Sequence, residues 1–253
     1  MIGPAAGVEM SRRLRSGESL RGLFVSTRDA TLCELLAMLK WHFLLVDAEH
    51  SEFDAVDMEN IARAGALRGS YPIARIPIGA PAEIGRFLDA GAVGVMFPFV
   101  ESPQDAQRAV QLIKYPPRGR RGLGAPRSAD FGLRSSVPDQ IAQSDRDTVV
   151  IVQIESLRGL DQVESIAAVE GVDVVFIGPA DLSVALGVPC NWNAPVFVEA
   201  VTRIAAAAAA AGKIFGAYAG SLERMQWYES RGARFTAAAL EDLLMLGTEG
   251  FDL

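Results

Sequence analysis

The run Thr-Val-Val-Ile-Val-Gln-Ile at residues 148–154, followed at 172–177 by Val-Asp-Val-Val-Phe-Ile, decides the fold. Both runs are continuously apolar rather than alternating, as expected of parallel strands covered on both faces. Such strands need helices outside them. Working outward, further short β-rich runs fall at 20–25, 43–46, 72–76, 93–99, 213–219 and 233–239, which makes eight. Between them, 54–67, 82–89, 102–113, 157–168 and 194–211 have helical length and apolar recurrence at three- and four-residue spacing. The alanine block 205–211 lies in the last of these and is helix-forming.

Parallel strands joined by helical crossovers give either an open doubly wound sheet or a closed barrel. Eight units in 253 residues favour a single (β/α)8 barrel domain spanning 1–253. An open dinucleotide-binding sheet is disfavoured because no GxGxxG follows the first run. The longest irregular segment, YPPRGRRGLGAPRSAD at 115–130, is too long for a minimal connector and is expected to be functional.

A net charge of −7 gives no reason to expect nucleic acid or an anionic membrane as partner. No apolar run reaches bilayer length, and residues 1–8 lack the pattern of a signal peptide, so a cytoplasmic chain is expected. Cys33 and Cys190 are too few and too isolated for a disulfide framework and are expected to be buried small side chains. Two histidines exclude a three-histidine zinc site, so any metal must be held mainly by oxygen.

In a barrel the chemistry gathers at the C-terminal strand ends. Strand two ends in VDAEH, giving Asp47, Glu49 and His50; strand three ends at Arg75; strand five gives Gln153 and Glu155; strand six runs into GPADLS with Asp181. Glu155 and Asp181 suit a hard cation such as Mg2+, which takes one or two carboxylates plus waters and substrate. Asp181 could instead cap the helix after Pro179. The turn Gly178-Pro179-Ala180 would expose backbone N–H groups to a substrate carboxylate. Arg75 offers a fixed guanidinium to a developing enolate oxygen. His42 opens strand two, the stability face, and is set aside. The three lysines, Lys40, Lys114 and Lys213, all map away from the C-terminal strand ends, which argues against Schiff-base chemistry.

These residues sit in motifs that resemble the HpcH/HpaI family of metal-dependent pyruvate aldolases: LLVDAEH (44–50), ARIP (74–77), FLDAGAVGVMFPFVES (87–102), KYPPRGRRG (114–122), VQIES (152–156) and GVDVVFIGPADLS (171–183). The resemblance implies reversible cleavage of a 4-hydroxy-2-oxo acid to pyruvate and an aldehyde. Its cofactor would be a divalent cation (Mg2+, Mn2+ or Co2+) held by Glu155 and Asp181, with Gln153 nearby and Arg75 on the keto oxygen. It implies His50 as the base, Asp47 and Asp89 orienting or polarising it, and a homo-hexamer built as a trimer of dimers. In that assembly Asp89 and Arg121 would act on a neighbour's pocket. A citrate-lyase-β-like enzyme acting on an acyl-CoA and a catalytically silent scaffold are the competing readings. The chain departs from the family pattern at Tyr218, and at Glu241 and Asp242, where the family usually has a small residue and then Asp. Tyr218 either narrows the aldehyde pocket or packs in the barrel with its hydroxyl bonded.

Overall fold

The computed structural model describes residues 4–249. Eight parallel strands pair each with the next and the last with the first, so the sheet has no open edge. They are β1 (Leu20–Val25), β2 (Phe43–Asp47), β3 (Tyr71–Arg75), β4 (Gly94–Phe97), β5 (Val149–Ile154), β6 (Val174–Ile177), β7 (Ile214–Tyr218) and β8 (Ala233–Ala239). All eight expected runs are present. The fourth is shorter than the run 93–99, because Phe99 enters the left-handed region at φ 49 and leaves the ladder.

Period-two alternation sorts each strand into two layers. One set points into the barrel: Leu20 and Phe24, Phe43 and Leu45, Tyr71 and Ile73, Met96, Val149 and Ile151, Val174 and Phe176, Ile214, Phe235 and Ala237. The other set, including Val46, Ala74, Val95, Val152, Ile177 and Ala217, packs against the helices. The interior is filled by aromatics rather than by a pore: Phe43 stacks on Phe235 with ring centroids 4.2 Å apart. Glycine makes the room. A Cβ at Gly22 would overlap the Phe43 ring, and one at Gly216 would lie 2.7 Å from the Phe235 carbonyl oxygen and 2.8 Å from the Phe176 ring.

The base of the barrel is closed by α1 (Pro4–Arg15), whose Ala6, Met10 and Leu14 join the interior cluster. Around the outside run α2 (Ala30–Met38), α3 (Ala55–Arg68), α4 (Pro81–Ala90), α5 (Pro103–Ile113) and α6 (Val137–Asp147). Asp54 begins α3 with a capping box: its side chain accepts from Val56 and Asp57, and the Asp57 side chain accepts from its backbone N–H. Ser102 and Ser136 cap α5 and α6.

Residues 157–168, expected as one helix, form two: α7 (Leu157–Asp161) and α8 (Val163–Ala167), parted at Gln162, whose backbone (φ −107, ψ 12) leaves the helical region. Then come α9 (Pro179–Ala185), α10 (Pro195–Ala210), α11 (Leu222–Glu229) and α12 (Leu240–Glu249). The alanine block continues α10 as expected. Cys33 is buried, but Cys190 is exposed, correcting the expectation for it. Cys190 sits in a left-handed turn (φ 54) beyond α9, with its N–H donated to Ser183 Oγ at 2.9 Å. Among the described residues no helix is long and apolar enough to cross a membrane. Residues 1–3 and 250–253, counted in the expected single domain, lie outside the described range.

Candidate active site

The same alternation that fills the barrel carries its polar residues to the mouth. Asp47 stands two positions beyond Leu45, Arg75 two beyond Ile73, Gln153 two beyond Ile151, and Gly178 two beyond Phe176. Each therefore continues an inward row past the last apolar layer. They open into a cavity of about 480 Å³ at the C-terminal strand ends, lined also by His50, Ser51, Pro179, Ala180 and Asp181 on one side. Phe24, Val25, Ser26, Tyr218, Ala239 and Glu241 line the other. None of the three lysines lines it.

Arg75 is held rigidly. Its Nε and Nη2 donate to the two carboxylate oxygens of Asp47 at 2.8 and 2.7 Å, Glu49 lies 3.3 Å from Nε, and the guanidinium carbon stands 4.9 Å from the centre of the Phe24 ring. Burial raises the Asp47 carboxyl, but the two Arg75 bonds and the Arg75 charge outweigh it and hold the group below the usual range. Burial raises Glu49, and Arg75 only partly offsets this.

Asp47, expected to orient His50, thus serves Arg75 with both oxygens; the carboxylate beside His50 is Glu49, 3.8 Å from Nε2. The imidazole is otherwise open at the rim, 64% exposed.

Glu155 is almost fully buried at the floor. One of its carboxylate oxygens accepts the Phe99 N–H at 2.7 Å, presented by the left-handed turn that ends β4, and the other accepts from the Gln153 amide. Burial pushes its pKa up to about 7, with the Glu49 and Asp181 charges adding to the rise and the Phe99 and Gln153 bonds opposing it. A Cβ at Gly178 would collide with Glu155 and Gln153, so glycine there lets the two side chains lie under the turn. Gln153 Oε1 is buried without a hydrogen-bond partner.

Asp181 stands exposed in the first turn of α9. The helix is begun by Gly178 with no side-chain cap bond, so Asp181 does not cap it. Gly178 donates its N–H to Ile154 and Pro179 has none, which leaves the first-turn N–H groups of Ala180 and Asp181, two residues that line the cavity, without an intrahelical partner.

The donor set suits a hard cation. Asp181 lies near enough for its charge to raise the Glu155 pKa, Gln153 Oε1 is buried without a partner, and magnesium-like ions need no more than one or two carboxylates because they keep waters. Among the described residues no group of three or more His, Cys, Asp and Glu is placed to hold a metal.

Asp89 and Arg121 lie elsewhere. Asp89 is near the end of α4, before β4, and receives Arg121 Nη2 at 2.8 Å within the same chain. Arg121, in the irregular segment after α5, is nearly buried over the Tyr115 ring, and its Nε has no partner. Within one chain these two residues pair with each other and not with the mouth. Residues with no assigned part in the sequence reading, Phe24, Glu49 and the Phe99 N–H, prove to hold Arg75 and Glu155 in place. Phe24 was findable, since it shares the inward parity of its strand.

The sequence pattern of the HpcH/HpaI aldolase/citrate lyase family matches residues 20–246. The hydroxypyruvate/pyruvate aldolase of Paraburkholderia phytofirmans is 38% identical over 244 residues, 94% of this chain and 93% of that protein. The 5-keto-4-deoxy-D-glucarate aldolase of Salmonella paratyphi C is 40% identical over 207 residues, covering 81% and 79%. A crystal structure of an HpcH/HpaI aldolase/citrate lyase family protein from Burkholderia cenocepacia superposes with TM-score 0.89 at 37% identity, covering 96% of this chain and 97% of that one.

Proposed function

The chain belongs to the HpcH/HpaI aldolase/citrate lyase family, and from that premise we propose that it is a divalent-metal-dependent aldolase cleaving a 4-hydroxy-2-oxo acid reversibly to pyruvate and an aldehyde. The observation that carries the reading is the pairing of two features across one cavity. A guanidinium fixed by Asp47 lines the same cavity as the Asp181 carboxylate and the unpartnered amide oxygen of Gln153, whose amide nitrogen bonds the buried Glu155 carboxylate.

Glu155 and Asp181 would hold the cation, with Gln153 Oε1 as a neighbouring donor. When bound, it supplies Lewis-acid stabilisation of negative charge developing on the 2-oxo oxygen. Arg75 adds a preorganised positive fork to the same oxygen, and Asp47 keeps it aimed. The N–H groups of Ala180 and Asp181 receive the substrate carboxylate in the turn formed by Gly178 and Pro179. His50, at the rim, takes the proton of the C4 hydroxyl, directly or through a water. The C3–C4 bond breaks, its electron pair forms the enolate C2=C3 bond, and C4 leaves as the aldehyde. Protonation at C3 then gives pyruvate.

Asp89 and Arg121 are proposed to act across a subunit boundary in a cytoplasmic homo-oligomer of one barrel domain per chain, a hexamer on the family's pattern. The experiment is pyruvate release from a 4-hydroxy-2-oxo acid, together with exchange of the pyruvate methyl protons in D2O, before and after EDTA. Activity in both assays that is lost with EDTA and restored by Mg2+ or Mn2+ supports the reading. No release and no exchange in the presence of metal refutes it. Exchange without cleavage, combined with turnover of an acyl-CoA, favours the citrate-lyase-like reading.

A further inference from the structure

The cavity has two unlike walls. The wall from β2, β3, β5 and β6 carries Asp47, His50, Arg75, Gln153 and Asp181; the wall from β1, β7 and β8 carries Phe24, Ser26, Tyr218, Ala239 and Glu241. If pyruvate occupies the first, as the aldolase reading requires, the second faces the aldehyde.

That second wall offers hydrogen-bond acceptors and no cation. Tyr218 donates its hydroxyl to Asp242 Oδ2 at 2.8 Å, and the Ala239 N–H holds the same oxygen at 2.7 Å. Burial, and then the bond to Asp242, raise the Tyr218 pKa, so the phenol keeps its proton and that proton is engaged. Gly220 makes the space: a Cβ there would sit 3.3 Å from Asp242 Oδ1 and 3.5 Å from the Tyr218 hydroxyl. The ring itself is fixed edge-on to Phe24, centroids 6.0 Å apart. What Tyr218 presents to the cavity is a ring and an oxygen able only to accept. Nearby, Glu241 accepts the Ser26 hydroxyl, which again leaves a carboxylate and a hydroxyl oxygen facing inward. Among the described residues lining the cavity Arg75 is the one arginine or lysine, and it belongs to the opposite wall, where its Nε and Nη2 each donate to Asp47.

A wall of acceptors under negative charge is complementary to hydroxyl groups and repels a carboxylate. We infer that the aldehyde partner of this chain is an uncharged, hydroxylated aldehyde whose hydroxyls donate to Glu241, Ser26 and Tyr218, and that Glu241 selects against aldehydes bearing a carboxylate. The inference rests on the aldolase reading and narrows it from any aldehyde to a chemical class. It is carried by the acceptor oxygens that Tyr218, Ser26 and Glu241 bring to the cavity lining.

The test compares glycolaldehyde with glyoxylate, two two-carbon aldehydes that differ in hydroxymethyl against carboxylate, as acceptors for pyruvate with Mg2+ present. The unaltered protein is expected to show the higher kcat/KM for glycolaldehyde. In Glu241→Gln the preference should fall about fivefold, the scale of one solvent-facing charge, mainly through a gain on glyoxylate. Glu241→Lys should move it further the same way, and raising the salt concentration should shrink both effects. Glu241 is exposed, so neither variant threatens folding. Preference for glyoxylate by the unaltered protein, or a ratio unmoved in both variants, overturns the inference. Methyl-proton exchange of pyruvate by the unaltered protein needs no aldehyde and separates the two levels. Exchange with an unmoved ratio overturns the acceptor wall alone, whereas no exchange overturns the aldolase reading and this inference with it.

Discussion

Replacing Asp47 with Asn isolates the contribution of a fixed Arg75. The two side chains are 12% and 11% exposed and joined by two charge-assisted bonds of 2.8 and 2.7 Å. Asn keeps the shape and one acceptor but turns an NH2 toward the second guanidinium N–H, so one bond is lost. A hydrogen bond to a charged group contributes about 1.5–3 kcal/mol. Glu49 remains 3.3 Å from Arg75 Nε as a partial replacement, which places the expected cost at the lower end, about 1.5–2 kcal/mol of unfolding free energy. For catalysis, loss of one preorganised donor costs about 100- to 1000-fold in kcat. With Glu49 still holding one side of the fork, a fall of about 10- to 100-fold is expected, with KM for pyruvate changed far less. Urea unfolding and methyl-proton exchange measured on the same preparation give both numbers. Arg75→Lys, which keeps the charge but cannot make the fork, should resemble Asp47→Asn in kcat. A stability loss of the stated size with kcat within twofold of the unaltered protein would refute the reasoning, because Asp47 would then be a structural partner only.

Three other outcomes follow from the packing. Gly22→Ala places a methyl group in the Phe43 ring and should cost about 1–3 kcal/mol; most of that should return in Gly22→Ala/Phe43→Leu, and a double variant as unstable as the single one would show that the ring is not the obstacle. Cys190→Asn relieves a left-handed non-glycine residue at an exposed position and should raise the melting temperature by about 2 °C; no rise in a thermal melt would mean the turn carries no strain. The His42 pKa is lowered by burial and then by the Arg13 charge, while its Nδ1 accepts the Arg21 N–H at 2.9 Å. Its contribution to stability is therefore fully present above the unfolded-state value of about 6.5 and is lost as the pH falls through the lower folded value. Urea midpoints from pH 8 to 5 should fall less steeply in His42→Gln, and equal slopes would remove His42 from the acid response.

The barrel was legible because continuous apolar runs and their spacing are set by backbone geometry that any parallel sheet obeys. Site residues were legible to the extent that they obey the same rule. Parity places Arg75, Gln153 and Gly178 inward once Ile73, Ile151 and Phe176 are known to be core. Pairing was less so: one guanidinium in contact with two carboxylates chooses by distance, and neither spacing nor motif says that Asp47 takes Arg75 while Glu49 is left beside His50. Asp89 and Arg121 show the limit most plainly. They lie 32 residues apart, on a helix and in an irregular segment, and their 2.8 Å bond depends on how that segment folds back over α4. The break at Gln162 was hidden because the apolar spacing on its two sides still reads as one helix. The exposure of Cys190 was hidden because it follows from a local turn rather than from the side chain's apolar character.

The closed base beneath the mouth has a kinetic consequence. Met10 and Leu14 of α1 and the Phe43–Phe235 stack belong to the apolar interior below the polar residues, so what reaches the cavity comes past the C-terminal strand ends and not through the packed base. Its depths are unequal: Gln153 and Glu155 are almost completely covered, whereas His50, Asp181 and Glu241 stand at the threshold. Whatever docks on the floor must arrive before the threshold is filled and can depart only after it clears. Under the proposed chemistry, an acid seated by Gln153 lies deeper than an aldehyde held at Glu241, so the second to bind would cover the first.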